Sequence, residues 1–111
     1  MILIRKCSLL GCYYGNGMGY IGTINITRSG KKCQPWSSQC PHRHIHKPKN
    51  YKELMNATNW CRNPGGEGPD GPWCYTTEST TRWEYCDIPK CSNPGFYFYI
   101  CNRIHCKVNA T

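Results

Sequence analysis

Glu67 and Asp70 are two of only six acidic residues in a chain that carries fourteen lysines and arginines and a formal charge of +8. They sit together in the Gly- and Pro-rich stretch 59–77, NWCRNPGGEGPDGPWCYTT, between Trp60 on one side and Trp73 and Tyr75 on the other. A carboxylate rimmed by aromatic rings is chemistry for an organic cation: the acid accepts charge-assisted hydrogen bonds, and the ring faces attract positive charge. His42, His44 and His46 alternate, so on an extended segment they would share a face and could hold zinc or copper. The competing reading is a structural turn. Together with Arg43, Lys47, Lys49 and Lys52 the histidines also form a candidate patch for a heparin-like glycan or an acidic protein.

These residues need a frame, and 111 residues bury a modest core unless something else stabilises it. Ten cysteines are the evident supplement, at a density that marks disulfide scaffolds of short secreted chains. Zinc is the rival, because C-x4-C occurs at Cys7/Cys12, Cys86/Cys91 and Cys101/Cys106. No C-x2-C pair accompanies them. The sequons at Asn25, Asn56 and Asn109 suit passage through the secretory pathway, which favours disulfides and an extracellular location. No metal and no cofactor is expected, and nucleic acid is an improbable partner for a secreted module. The longest apolar run, FYFYI at 96–100, is far short of the roughly 20 residues of a membrane-spanning helix. MILIR at the start is too short for a complete signal peptide, so the sequence reads as part of a longer chain.

No window keeps a helical apolar face, and Gly plus Pro make up 19 residues. Loops and short strands are therefore predicted, with strands over 20–27, 73–77 and 82–86. Turns are signalled at 15–17, 29–30, 63–66 and 71–72, where Gly tolerates positive φ and Pro fixes its own. Charge is uneven. Residues 28–52 hold seven bases and no acid, while 67–87 hold five of the six acids with Arg82 as the one base. Two faces of opposite sign, or simply solvated surface, both fit that distribution.

Six blocks in order carry a resemblance: CYYGNGMGYIGT from Cys12, TRSGKKCQPW from Thr27, PHRH from Pro41, NWCRNP from Asn59, GPWCYTT from Gly71 and RWEYCDIPKC from Arg82. Over residues 12–91 the chain resembles the kringle module. The resemblance implies a small disulfide-rich kringle fold, mostly loops with short antiparallel β-strands. It also implies three core disulfides, Cys12–Cys91, Cys33–Cys74 and Cys61–Cys86, a choice that sequence alone could not make among the pairings ten cysteines allow. Cys7, Cys40, Cys101 and Cys106 fall outside that set; Cys101–Cys106 and Cys7–Cys40 are the favoured extra bridges, with free thiols or links to a neighbouring module as alternatives. Residues 1–11 then read as a leader with an extra cysteine, and 92–111 as a Cys-containing aromatic tail or the start of another module.

In lysine-binding kringles two acids four and six residues beyond the third cysteine meet the ligand's ammonium, its stem lies on aromatic rings, and its carboxylate meets a cation. Carried over, the rings are Trp73, Tyr75 and Trp83, with Tyr85 behind, and the cation is Arg82. Trp73 and Trp83 sit where the family exposes them, whereas Trp36 reads as core. The anionic end departs from the pattern: Gly65 holds the first acid position, Glu67 the second, and Asp70 would have to swing in to compensate. Asn56 stands where the family has a core leucine, so either Leu54 or Met55 turns inward or the loop repacks and Asn56 carries a glycan.

The expected function is an extracellular, non-catalytic protein-binding module with weak affinity for exposed lysine or a zwitterionic lysine-like ligand. The alternatives are a localisation domain cut from a kringle-bearing serine protease or growth-factor-like protein, or heparin-like glycan binding through 28–52. An independent enzyme is disfavoured: the chain has two aspartates and neither a G-D-S-G-G loop nor a G-x-S-x-G elbow.

Overall fold

Two disulfides stack at the centre of the molecule. Cys33–Cys74 and Cys61–Cys86 bring the Sγ atoms of Cys33 and Cys61 to 3.7 Å, and Cys12–Cys91 closes the two ends of the domain. The computed structural model describes residues 11–91. All of the leader except Gly11, the whole aromatic tail, and with them Cys7, Cys101, Cys106 and Asn109, lie outside the described residues. Cys40 carries an exposed free thiol, and Cys7, its expected partner, is among the residues not described.

Regular structure is sparse because the bridges, not a hydrogen-bonded layer, do the ordering. The sheet has two strands, β1 (Trp73–Tyr75) and β2 (Trp83–Tyr85), paired antiparallel with Trp73 opposite Tyr85 and Tyr75 opposite Trp83. Single bridges extend it: Arg62 pairs with Trp73, Cys33 with Thr76, and Thr27 with Cys86. Two 3-10 turns, Lys52–Leu54 and Pro64–Gly66, complete the list of described elements. No helix among the described residues is long and apolar enough to cross a membrane.

The strands at 73–77 and 82–86 are met, slightly shortened. The strand at 20–27 is not, because only Ile26 and Thr27 make ladder contacts. Tyr20 and Thr27 bury their side chains while Ile21, Ile24 and Ile26 face solvent; between them the Gly22, Ile24 and Asn25 carbonyls accept from Arg62, the Cys61 N–H and the Cys33 N–H, single contacts rather than a sheet for the apolar alternation to face. The zinc reading of the C-x4-C pairs also fails, since Cys12, Cys86 and Cys91 are all spent in disulfides.

Trp36, Trp73 and Tyr75 form the heart of the core. The Trp36 ring meets Trp73 edge-on at 5.3 Å and Tyr75 at 5.9 Å, and its indole N–H donates to the Trp60 carbonyl at 2.8 Å. Trp36 is thus core, as the sequence suggests. The slot that Asn56 cannot fill is taken by Leu54, which is fully buried, while Met55 points out and Asn56 adopts φ 61°, a region that Asn tolerates. Leu54→Ala is expected to lower the unfolding free energy by about 2–5 kcal/mol in urea melts, whereas Met55→Ala stays within about 0.5 kcal/mol.

Candidate functional site

Asn63 organises the loop between the third and fourth core cysteines. Its amide is fully buried and fully used: Nδ2 donates to the carbonyls of Asn16 (2.6 Å) and Gly68 (2.7 Å), and Oδ1 accepts from the Gly68 N–H (2.8 Å) and the Trp73 indole N–H (3.1 Å). One side chain therefore fixes both the turn that presents Glu67 and the ring beneath it. The turn needs Gly65, whose φ is 67° and where a Cβ would lie 3.2 Å from Glu67 Oε2 and 3.3 Å from the Tyr51 ring. The position that holds an acid in lysine-binding relatives is thus filled by a residue with no side chain to offer.

Beside this loop the strands β1 and β2 present their rings to a cavity of about 510 Å³. Trp73, Tyr75, Trp83 and Tyr85 line it, with Glu67 and Arg82 contributing the charges. Ring packing is edge-to-face throughout: Trp73 to Trp83 at 5.9 Å, Trp83 to Tyr85 at 5.1 Å. The two tryptophans are not equivalent. Trp83 is 46% exposed, but Trp73 is 6% exposed, because its N–H is committed to Asn63 and its body to Trp36, leaving only part of the ring as floor. The resemblance places both where the family exposes a ring, with a structural role as the equal alternative; the exposed role falls to Trp83 and the structural one to Trp73.

Glu67 is held from two sides. His46 Nε2 lies 2.9 Å from Glu67 Oε1, and the Tyr51 hydroxyl donates to Oε2 at 3.4 Å. The other imidazole nitrogen, Nδ1, is 2.8 Å from the Tyr75 hydroxyl. A carboxylate only accepts, so Nε2 carries the proton and donates to Glu67; in the neutral ring Nδ1 then accepts from Tyr75. Burial pushes the Tyr75 phenol above its ordinary value, and the nearby Arg82 charge opposes that. The Arg82 guanidinium lies over the Tyr75 ring at 5.2 Å and donates to the Arg43 carbonyl at 3.0 Å.

Of the residues singled out in the sequence, the fold brings Glu67, Trp73, Tyr75, Arg82 and Trp83 to one cavity. Asp70 is left out of its wall. Its backbone is anchored between two tyrosines, the N–H on the Tyr85 hydroxyl (3.4 Å) and the carbonyl on the Tyr13 hydroxyl (3.1 Å). The adjacent Gly71, at φ 121°, packs so close to Tyr13 that a Cβ would come within 2.8 Å of its ring. The three histidines do not converge on one point. His42 Nε2 bonds the Glu78 carbonyl and His44 Nε2 the Ser38 carbonyl, whereas His46 turns to Glu67 and Tyr75. Among the described residues the cluster with metal-ligand spacing is the four half-cystines of the central bridges.

Sequence reasoning missed His46 and Tyr51 as neighbours of Glu67, and Asn63 as the residue that sets the loop. The alternating histidines were a signal for His46, but they pointed to a metal rather than to an acid 21 residues away.

The family model described as Kringle domain matches residues 12–91. Plasminogen from Capra hircus is 49% identical over 81 residues, a match that covers 73% of this chain and 64% of that protein. The chain thus spans a little less than two thirds of the length of this relative.

Proposed function

The chain belongs to the kringle family, and from that premise we propose that the domain is an extracellular binding module which captures a primary amine, presented as a lysine side chain on a partner protein, in the trough between Glu67 and Arg82. Kringle domains are non-catalytic modules, so the activity is recognition. The observation that carries the reading is the half-exposed Glu67 carboxylate at one end of an aromatic-lined cavity with an exposed guanidinium in the same wall. An ammonium would meet Glu67, its alkyl stem would lie against Trp83 and the exposed part of Trp73, and a carboxylate on the ligand would meet Arg82.

The affinity is weak. Gly65 supplies no second carboxylate, Asp70 lies outside the wall, and Glu67 is shared with His46. Titration with ε-aminocaproic acid, followed by tryptophan fluorescence, is expected to saturate in the millimolar range through Trp83. A flat response up to tens of millimolar overturns the reading.

The resemblance to plasminogen supports a role inside a longer protein, in which this domain localises a protease or a growth-factor-like unit. A full-length transcript with a downstream catalytic domain is the expected finding. Asn56, exposed on its turn, is the sequon best placed to carry a glycan, and Asn25 is only half-buried.

A further inference from the structure

The basic segment 28–52 does not act as one patch. Its first part is tied to an acid: Arg28 lies over the Tyr85 ring at 5.5 Å, and Lys31 Nζ donates to the Ser29 hydroxyl, which donates to Glu84. Its later part meets Arg82 instead. Arg43, Lys47 and Arg82 line a recess of about 620 Å³ that adjoins the amine trough, with Tyr75, His46 and Arg82 lining both.

This recess is positive and unbalanced. Three cations line it and no carboxylate does; Glu67, the acid of the His46–Glu67 pair, lines the amine trough and not this recess. Arg82 is already oriented, with its face on Tyr75 and one Nη on the Arg43 carbonyl, which leaves most of its N–H donors uncommitted. His44, buried in the wall, reports the field. Burial is the main cause that lowers its pKa and the Ser38 carbonyl opposes it, but the charges acting on it, His46, Arg82 and Lys47, all push it down. Like charges gathered at one recess repel, and an oxyanion placed among them relieves that repulsion.

We propose that the recess of Arg43, Lys47 and Arg82 is an anion subsite for a sulfated glycan, adjoining the amine trough and sharing Arg82 with it. A glycan fits better than an acidic peptide. The recess offers polar donors, Gln39 among them, with Ile45 as its one aliphatic member, whereas a peptide would need apolar pockets to anchor side chains. Lys49 and Lys52, which follow in the same acid-free stretch, are also exposed.

The test is isothermal titration with a heparin-derived hexasaccharide at two salt concentrations. Saturable binding that weakens as salt rises is expected. Arg43→Gln combined with Lys47→Gln is expected to weaken it at least tenfold, while Lys32→Gln combined with Lys90→Gln, two exposed cations outside the recess, changes it less than threefold. Equal losses in the two pairs would show attraction to net charge alone and overturn the site, as would no binding. A polyglutamate peptide of matched charge that binds as tightly as the hexasaccharide would overturn the glycan assignment. Thermal melts of both pairs check that each variant is folded.

Discussion

Asn63→Ala lowers the melting temperature of the domain by roughly 15 °C, and does so without removing a single apolar contact of note. The side chain makes four hydrogen bonds at a fully buried position. Alanine leaves the Gly68 N–H and the Trp73 indole N–H without an acceptor and the Asn16 and Gly68 carbonyls without a donor. Each orphaned buried group costs about 1–3 kcal/mol, and since the four share one loop the penalties do not simply add. A net loss of about 3 kcal/mol in a domain of this size corresponds to about 4–8 °C per kcal/mol. Circular dichroism melts measure it. A shift under about 4 °C for Asn63→Ala would show that water or neighbours replace its bonds.

Glu67→Gln weakens ε-aminocaproate binding by tenfold or more, because the amide keeps a hydrogen-bond acceptor for His46 but loses the charge that an ammonium needs. His46→Gln retains a donor for Glu67, so its affinity for ε-aminocaproate is expected to stay within a few-fold of the wild type, whereas His46→Ala leaves Glu67 with the Tyr51 hydroxyl alone and is expected to change it more. Absence of binding in the wild type would instead remove the amine reading itself.

Much of the domain was legible residue by residue. Alternating aromatic and polar residues flanked by turn signals marked 73–77 and 82–86, and both became strands because they pair with each other, β1 wholly buried and β2 on its more exposed side. The isoleucines at 21, 24 and 26 carried the same local signal. They face solvent although single backbone contacts, Ile26 with Lys32 and the Ile24 carbonyl with the Cys61 N–H, hold the chain there, because no continuous ladder covers them. Leu54 could not be separated from Met55 by type, since either could fill one apolar slot; the 3-10 turn Lys52–Leu54 decides which points inward.

The sequence by itself determined the framework: six cysteines in a kringle-like order, a loop of glycine and proline that must turn sharply, aromatic residues on both sides of the fourth cysteine, and a base beside Trp83. Those are properties of composition and spacing. Only the tertiary structure decided which charges meet. It set His46 against Glu67, left Asp70 out of the cavity wall, buried Trp73 while exposing Trp83, and parted Arg43 and Lys47 from Arg28 and Lys31. Each of these depends on contacts between residues far apart in the chain, closed by the three bridges, and local spacing carries no record of them.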